Sequence, residues 1–232
     1  MSASPRAVVA AAASQVESFF LEPAEPAPPA ALPVSTGPRP VIAVFGLSRR
    51  CGATVAARAL AAELAGRDAA GAAAVASPAA VAGIPLATPA AGRLAGALAD
   101  VPGAFTTAVG RLCLIEGADQ HQLADTARHF APLVIDAGSV GVDSVTATLA
   151  DRVLLVGGPG VEPALARVAA ECVRRVGPPP LIVHNRSSAQ DVAGPQLPDS
   201  RMGAQLALGG RQPRGELGRA VAALADLCEV VP

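Results

Sequence analysis

The segment VIAVFGLSRRCGATVAARALAAELAG, residues 41–66, decides the fold. Residues 41–46 form a short apolar run rich in Val and Ile, which predicts a buried strand. Residues 53–66 are rich in Ala and Leu and end at Gly66, which is typical of a helix. A loop that leads from a strand into a helix N-terminus gathers backbone N–H groups at one point. The sequence therefore predicts a strand–loop–helix unit with an anion site in its loop.

The alternation of strand and helix continues to the C-terminus. Further strands are predicted at residues 72–77, 111–117, 132–138, 152–158 and 180–186, and further helices at residues 90–100, 120–130, 162–177 and 214–230. Strands that are apolar on both faces, each followed by a helix, indicate a mostly parallel sheet with helices on both faces. Right-handed crossovers make this a doubly wound α/β fold, which binds ligands at the carboxyl ends of its strands.

The chain before residue 41 has a different composition. Residues 1–21 contain a predicted amphipathic helix with apolar side chains at helical spacing: Val8, Val9, Ala12, Val16, Phe19 and Phe20. Residues 22–40, EPAEPAPPAALPVSTGPRP, predict an extended linker because proline blocks helix and strand interiors. The helix favours binding to a protein partner over peripheral membrane contact, since Arg6 is its only basic residue. The alternatives are that it packs on its own domain, residues 41–232, or is disordered.

The overall composition narrows the classes of protein and partner. The formal net charge is −1, from 18 basic and 19 acidic residues, which argues against a nucleic-acid-binding surface. No apolar run is long enough to span a membrane. The 4 cysteines are Cys51, Cys113, Cys172 and Cys228. They form no CxxC pair, and two of them, Cys113 and Cys172, are expected to be buried because they lie in apolar runs. These features favour a reduced, cytoplasmic protein.

The loop itself matches a phosphate-binding loop only in part. The standard pattern is GxxxxGK[ST], and Gly52 and Thr54 occupy its last glycine and its hydroxyl position. Ala53 stands where the lysine belongs, and Leu47 where the first glycine belongs. On these residues alone, a plain strand-to-helix turn with Thr54 near the helix cap is an equal alternative.

Four downstream segments, taken in order, make the loop more informative. They are VIDAGS at residues 134–139, ADRVLLVGGPGVEPAL at 150–165, LIVHNR at 181–186, and LPDSRMGAQLALGGRQPRGELGRAVAALADL at 197–227. With the loop, they resemble the ParA/MinD group of P-loop ATPases over residues 40–230. Within that group, the Gly-Ala-Thr loop is most similar to the CpaE/TadZ branch, whose members position pilus-assembly machinery.

The resemblance implies a nucleotide site for ATP or ADP with Mg²⁺, and a homodimer. Asp136 would be the Walker B carboxylate, the catalytic residue and a metal ligand together with Thr54. Asn185 would lie near the adenine, followed by Arg186. The backbone N–H groups of the loop would hold phosphate oxygens, and the residues concerned are Cys51, Gly52, Ala53, Thr54 and Val55.

The chain also departs from the family pattern, Lys-Gly-Gly-x-Gly-Lys-Thr. Ser48 and Ala53 replace the two lysines, and Arg49 and Arg50 replace two glycines. In the segment AVASP, residues 74–78, Val and Ser stand where the family has the acids of Asp-x-Asp-Pro. Phosphoryl transfer depends on positioning and charge stabilisation, so these losses predict weak nucleotide binding with slow or no hydrolysis.

Three hypotheses about function follow from the sequence. The first is a ParA/MinD-like spatial regulator or assembly adaptor that hydrolyses nucleotide slowly or not at all. The second is an active but atypical ATPase in which Arg49 or Arg50 replaces the lysine, because arginine pairs well with phosphate oxygens. The third is a structural interaction module that binds no nucleotide.

Overall fold

We analysed a computed structural model, which describes residues 40–67, 73–77, 104–106, 112–116, 132–139, 144–186 and 193–229. The predicted N-terminal helix, the linker up to residue 39 and the helices predicted at residues 90–100 and 120–130 lie outside the described residues. Within those residues, no helix is long and apolar enough to cross a membrane.

The described strands form one sheet in the order β3-β4-β2-β5-β1-β6-β7-β8. Their bounds are β1 Val41–Gly46, β2 Ala73–Ser77, β3 Ala104–Thr106, β4 Leu112–Glu116, β5 Leu133–Asp136, β6 Arg152–Gly157, β7 Leu181–Asn185 and β8 Gln196–Leu197. Every neighbouring pair is parallel except β3 and β4, which pair antiparallel at the edge. The predicted mostly parallel sheet is confirmed.

Five helices lie in the described part of the chain. Their bounds are α1 Ala53–Arg67, α2 Ser144–Leu149, α3 Pro163–Arg174, α4 Arg201–Leu208 and α5 Gly215–Glu229. Along β1, Ile42 and Val44 face the cluster that includes α1 and α5, whereas Ala43 and Phe45 face the cluster with α2 and α3. Because side chains alternate along a strand, helices cover both faces of the sheet, as predicted.

The chain leaves β1 and β6 on opposite faces of the sheet. These strands are direct neighbours in the order, and α1 follows β1 on one face while α3 follows β6 on the other. This divergence is a topological switch point, where doubly wound folds bind their ligands. The loop after β1, residues 47–52, lies at this point.

Sequence patterns missed the shortest elements and misplaced one cysteine. Neither β3, β8, α2 nor α4 was predicted, because strands of three and two residues show no alternation and helices of six and eight residues show barely two turns of helical period. Cys172 was predicted to be buried, but it is exposed. The prediction was wrong because α3 turns only Ala166, Ala170 and Val173 fully into the core, and Cys172 lies on another side of the helix.

Candidate functional site

The loop after β1 is fixed to the sheet along its first arm. The backbone N–H of Gly46 donates to the Gly138 carbonyl at 2.6 Å, and that of Leu47 to the Val156 carbonyl at 2.9 Å. At the other end, α1 begins with a hydrogen bond from the Ala56 N–H to the Gly52 carbonyl at 2.9 Å. The strand–loop–helix unit predicted from the sequence is therefore present.

Two loop residues have left-handed backbones. Gly52 has a φ of 90° and Arg50 a φ of 59°. Glycine adopts such angles without cost, but an arginine there is strained, and non-glycine residues in this region concentrate at functional sites. Glycine stands at this position in the family pattern that the sequence resembles, and glycine adopts a left-handed backbone without strain.

Cys51 is buried at the centre of the loop, with 2% of its surface exposed. A Cβ added to Gly46 would come within 2.7 Å of its Sγ, and one added to Gly158 within 3.0 Å of its Cα. A side chain at Gly46 would require the Cys51 side chain to move, and one at Gly158 would press on the Cys51 backbone, so both glycines permit a close approach to the loop.

The end of β7 holds the tip of the loop. The side-chain amide Nδ2 of Asn185 donates to the Cys51 carbonyl at 2.7 Å, and a guanidinium nitrogen of Arg186 donates to the Arg50 carbonyl at 2.8 Å. Asn185 is buried at 8% exposure, whereas Arg186 is exposed and has a φ of 56°. Both predicted site residues thus contact the loop itself.

Asp136, at the end of β5, is fully buried. Its Oδ1 accepts from the Gly138 N–H at 3.1 Å, while Oδ2 has no hydrogen-bond partner among the described residues. Burial raises the pKa of this carboxyl; the Thr54 hydroxyl, the Gly138 N–H and the charge of Arg58 act in the opposite direction. An unpaired carboxylate oxygen beside a threonine hydroxyl fits the oxygen ligands that Mg²⁺ prefers.

Arg58 is a component of the site region that sequence patterns missed. It lies on α1, one turn beyond Thr54, and is only 2% exposed. Its guanidinium donates to the Leu208 carbonyl at the end of α4 at 2.9 Å. The signal was present in the sequence, since Arg58 stands among alanines and leucines in α1, but its burial depends on packing against α4.

A cavity of about 470 Å³ opens between the loop, β7 and α4. Three arginines and one aspartate provide its charges: Arg50, Arg186, Arg201 and Asp199. The rest of the wall consists of Gly52, Val55, Asn185, Pro198, Ser200, Ala204 and Leu217. Ser200 caps α4, because its hydroxyl accepts from the Gly203 N–H at 3.0 Å. In the sequence, only the family resemblance indicates that this segment belongs to the site.

The predicted site residues fall into two groups. Arg50, Gly52, Val55, Asn185 and Arg186 meet on the cavity wall. The other predicted residues lie off the wall: Cys51 is buried within the loop, Ala53 is buried at the start of α1, Thr54 and Asp136 lie together, and Arg49 is exposed to solvent. Of the two arginines considered as replacements for the lysine, only Arg50 lines the cavity.

The same fold occurs in solved structures of P-loop ATPases. A ParA family ATPase from Chlorobium tepidum TLS matches with a TM-score of 0.59 at 14% identity, over 81% of this chain and 97% of that one. The MinC:MinD cell division protein complex from Aquifex aeolicus contains a chain that matches at 0.54 and 14%, over 81% and 95%. Cobyrinic acid a,c-diamide synthase from Mycobacterium smegmatis, with a bound ATP analogue and magnesium, matches at 0.54 and 15%, over 82% and 93%.

These similarities establish the fold. No family model matches the chain, and no curated protein shows significant sequence similarity to it. The resemblance to the ParA/MinD group is confirmed at the level of architecture: the chain has the α/β P-loop fold of these ATPases.

Proposed function

We propose that this chain is a ParA/MinD-like spatial regulator or assembly adaptor. It would bind an adenine nucleotide weakly and hydrolyse it slowly or not at all. One observation carries the proposal: a cavity suited to a nucleotide adjoins a phosphate-type loop, while the residue that would contact the phosphates is Ala53 and the buried acid Asp136 stands apart from the cavity.

The cavity supports nucleotide binding by its size, charge and place. It lies at the carboxyl edge of the sheet beside the switch point, where the matched fold class binds ligands. Arg50, Arg186 and Arg201 contribute three positive charges against the single carboxylate of Asp199. Guanidinium groups pair with phosphate oxygens and stack on flat rings, so they suit both parts of a nucleotide.

The phosphate end of the site supports slow hydrolysis. Ala53 provides no charge, and the sequence of β2 provides no carboxylate at the family positions. Asp136 and Thr54 are the residues that would hold Mg²⁺, which would neutralise phosphate charge when bound. The raised pKa of Asp136 disfavours the ionised form that such a role requires.

The regulator role is proposed by analogy with proteins that share this fold. One matched structure is a cell division complex of MinD with a protein partner. By analogy, we assign this chain a protein partner, a homodimer and a cytoplasmic location; a role in pilus assembly rests on the Gly-Ala-Thr loop alone. The predicted N-terminal helix is the segment that would bind the partner.

Thermal unfolding with millimolar Mg²⁺-ATP, ADP and GTP tests nucleotide binding. Saturation at 100 times Kd adds about 2.7 kcal/mol, which is a shift of a few degrees for a domain of this size. We expect adenine nucleotides to raise the Tm, and Asp136→Ala to reduce the additional shift given by Mg²⁺. If no nucleotide shifts the Tm, the nucleotide-free interaction module is the correct alternative.

Arg50 favours one alternative, the atypical ATPase. Because it lines the cavity and its neighbour Arg49 does not, Arg50→Ala and Arg49→Ala are a matched pair. Sustained, Mg²⁺-dependent phosphate release that Arg50→Ala abolishes and Arg49→Ala preserves would establish this alternative. We expect no release above that of Asp136→Ala.

A further inference from the structure

Asn185 and Arg186 meet two consecutive carbonyls of the phosphate-type loop. We infer that they are positioning residues that clamp this loop in its present conformation, and that one N–H of the Asn185 side-chain amide is committed to the loop. The clamp's importance for nucleotide binding rests on the proposed function, but the clamp itself does not.

The first contact of the clamp is buried and closely fitted. Asn185 Nδ2 lies 2.7 Å from the Cys51 carbonyl. A Cβ on Gly52 would overlap this same nitrogen. Gly52 therefore serves two purposes: it supplies a positive φ, and it leaves space for the amide above the loop.

The second contact joins two strained residues. Arg186 donates to the Arg50 carbonyl at 2.8 Å, and both residues have left-handed φ angles, 56° and 59°. Such conformations persist in non-glycine residues when surrounding contacts hold them. The hydrogen bond that runs directly from one to the other is such a contact for Arg50, and the backbone N–H of Arg186 is held in addition by the Leu197 carbonyl at 2.7 Å.

The position of the standard lysine offers no side-chain donor to the loop. Ala53 replaces the lysine of the standard pattern and has no donor. The entering arm is tied by the Gly46 and Leu47 N–H groups, but the tip carbonyls of Arg50 and Cys51 receive their donors from β7. The shape of the tip therefore depends on a strand more than 130 residues away, since the two contacts span 134 and 136 residues.

The reactivity of the Cys51 thiol can be used to measure whether the clamp is closed. Its carbonyl accepts the Asn185 bond, and its thiol is buried against Gly46. Opening of the loop tip would expose this thiol to an alkylating reagent. Cys172 is exposed, and Cys228 is buried in α5, so they provide a fast and a slow reference in the same molecule.

The test is the rate of iodoacetamide labelling of each cysteine, resolved by peptide mass spectrometry. The key variant is Asn185→Asp, which keeps the shape of the side chain but replaces the donor by an acceptor facing a carbonyl. We expect Asn185→Asp and Arg186→Ala each to speed Cys51 labelling at least about tenfold, the ratio that follows from about 1.4 kcal/mol. Labelling of Cys172 and Cys228 should not change.

Arg186→Lys supplies the rescue, because it keeps a cationic donor at this position, and it should restore most of the slow Cys51 labelling. Unchanged Cys51 labelling in Asn185→Asp would overturn the inference. So would equal acceleration of Cys51 and Cys228, because that result indicates general destabilisation. If the wild type binds no adenine nucleotide but the Cys51 results hold, the proposed function fails and the clamp stands.

Discussion

The two sides of the site satisfy their polar groups differently. On the β7 side, Asn185 and Arg186 have defined partners in the loop, and the cavity is open and lined by arginines. On the β5 side, Asp136 is fully buried with one oxygen unpaired. The polar groups that hold the loop on the β7 side are therefore paired, while the β5 side buries a carboxylate oxygen without a partner in the described part of the chain, which carries an energetic cost.

The β7 side should be more sensitive than the β5 side to the addition of a single methyl group. Gly52→Ala adds a Cβ at a φ of 90° and overlaps the Asn185 amide, so we expect a loss of about 3 kcal/mol in the free energy of unfolding. Gly160→Ala is the matched control, because its φ is 82° but nothing lies within 4 Å of the new Cβ. It should lose only about 1 kcal/mol. Equal losses in urea denaturation would contradict the clamp geometry.

The β5 side should gain stability when the charge of Asp136 is removed. Asp136→Asn keeps an acceptor for the Gly138 N–H and removes a buried, half-paired carboxylate, so we expect a gain of about 2 kcal/mol at pH 7. Asp199→Asn, on the exposed cavity wall, should change little.

The pH dependence of this gain follows from the pKa of Asp136. Because burial raises the folded-state pKa above the usual 3.8, the folded chain binds this proton more tightly than the unfolded chain. The carboxyl's contribution to stability is therefore complete below about pH 4 and is lost as pH rises through the folded pKa. Asp136→Asn should show its advantage at neutral pH and little at pH 4, and a constant difference between the two would refute the shift.

The far end of α1 offers a test that leaves the site alone. Arg67 joins α1 to α5 through Asp226 and Glu229, with nitrogen–oxygen distances of 2.6 and 2.9 Å, and it pairs with Glu63 on α1 itself at 2.9 Å. We expect Arg67→Met to lose about 1 kcal/mol, less in high salt, because these groups are partly exposed. Cys51 labelling should stay slow in this variant, since α1 is displaced at neither the loop nor the clamp.

The smallest effect concerns the strain at Arg50. Arg50→Gly relieves a left-handed arginine but adds unfolded-chain entropy, so the net change should lie within about 0.5 kcal/mol. Arg49→Gly has no such strain to relieve and should lose about 0.5–1 kcal/mol. If both substitutions destabilise equally, the backbone of Arg50 is not strained.

The sequence predicted what depends on local pattern. The apolar runs at residues 41–46 and 152–158 predicted β1 and β6, and their alternation with helices predicted the parallel sheet. The positions of Gly52 and Thr54 located the loop. These features follow from periodicity and chain order, which need no knowledge of distant contacts.

The remainder depends on contacts between distant residues. The hydrogen bond of Asn185 to the loop joins residues 134 positions apart along the chain, and no pattern within residues 181–186 indicates it. The burial of Arg58 depends on the end of α4, a helix too short to predict. The exposure of Cys172 depends on which side of α3 faces the sheet. None of these contacts or exposures can be predicted from one segment of the sequence alone.

The alanine content of α1 has a thermodynamic consequence. Its buried residues include seven alanines, Ala53, Ala56, Ala57, Ala59, Ala61, Ala62 and Ala65. Alanine has no rotamers to lose, so packing this helix costs almost no side-chain entropy, but each methyl group buries little area. The helix that follows the loop is therefore held by many small, temperature-sensitive contributions, and its docking should weaken gradually on cooling as the hydrophobic effect declines.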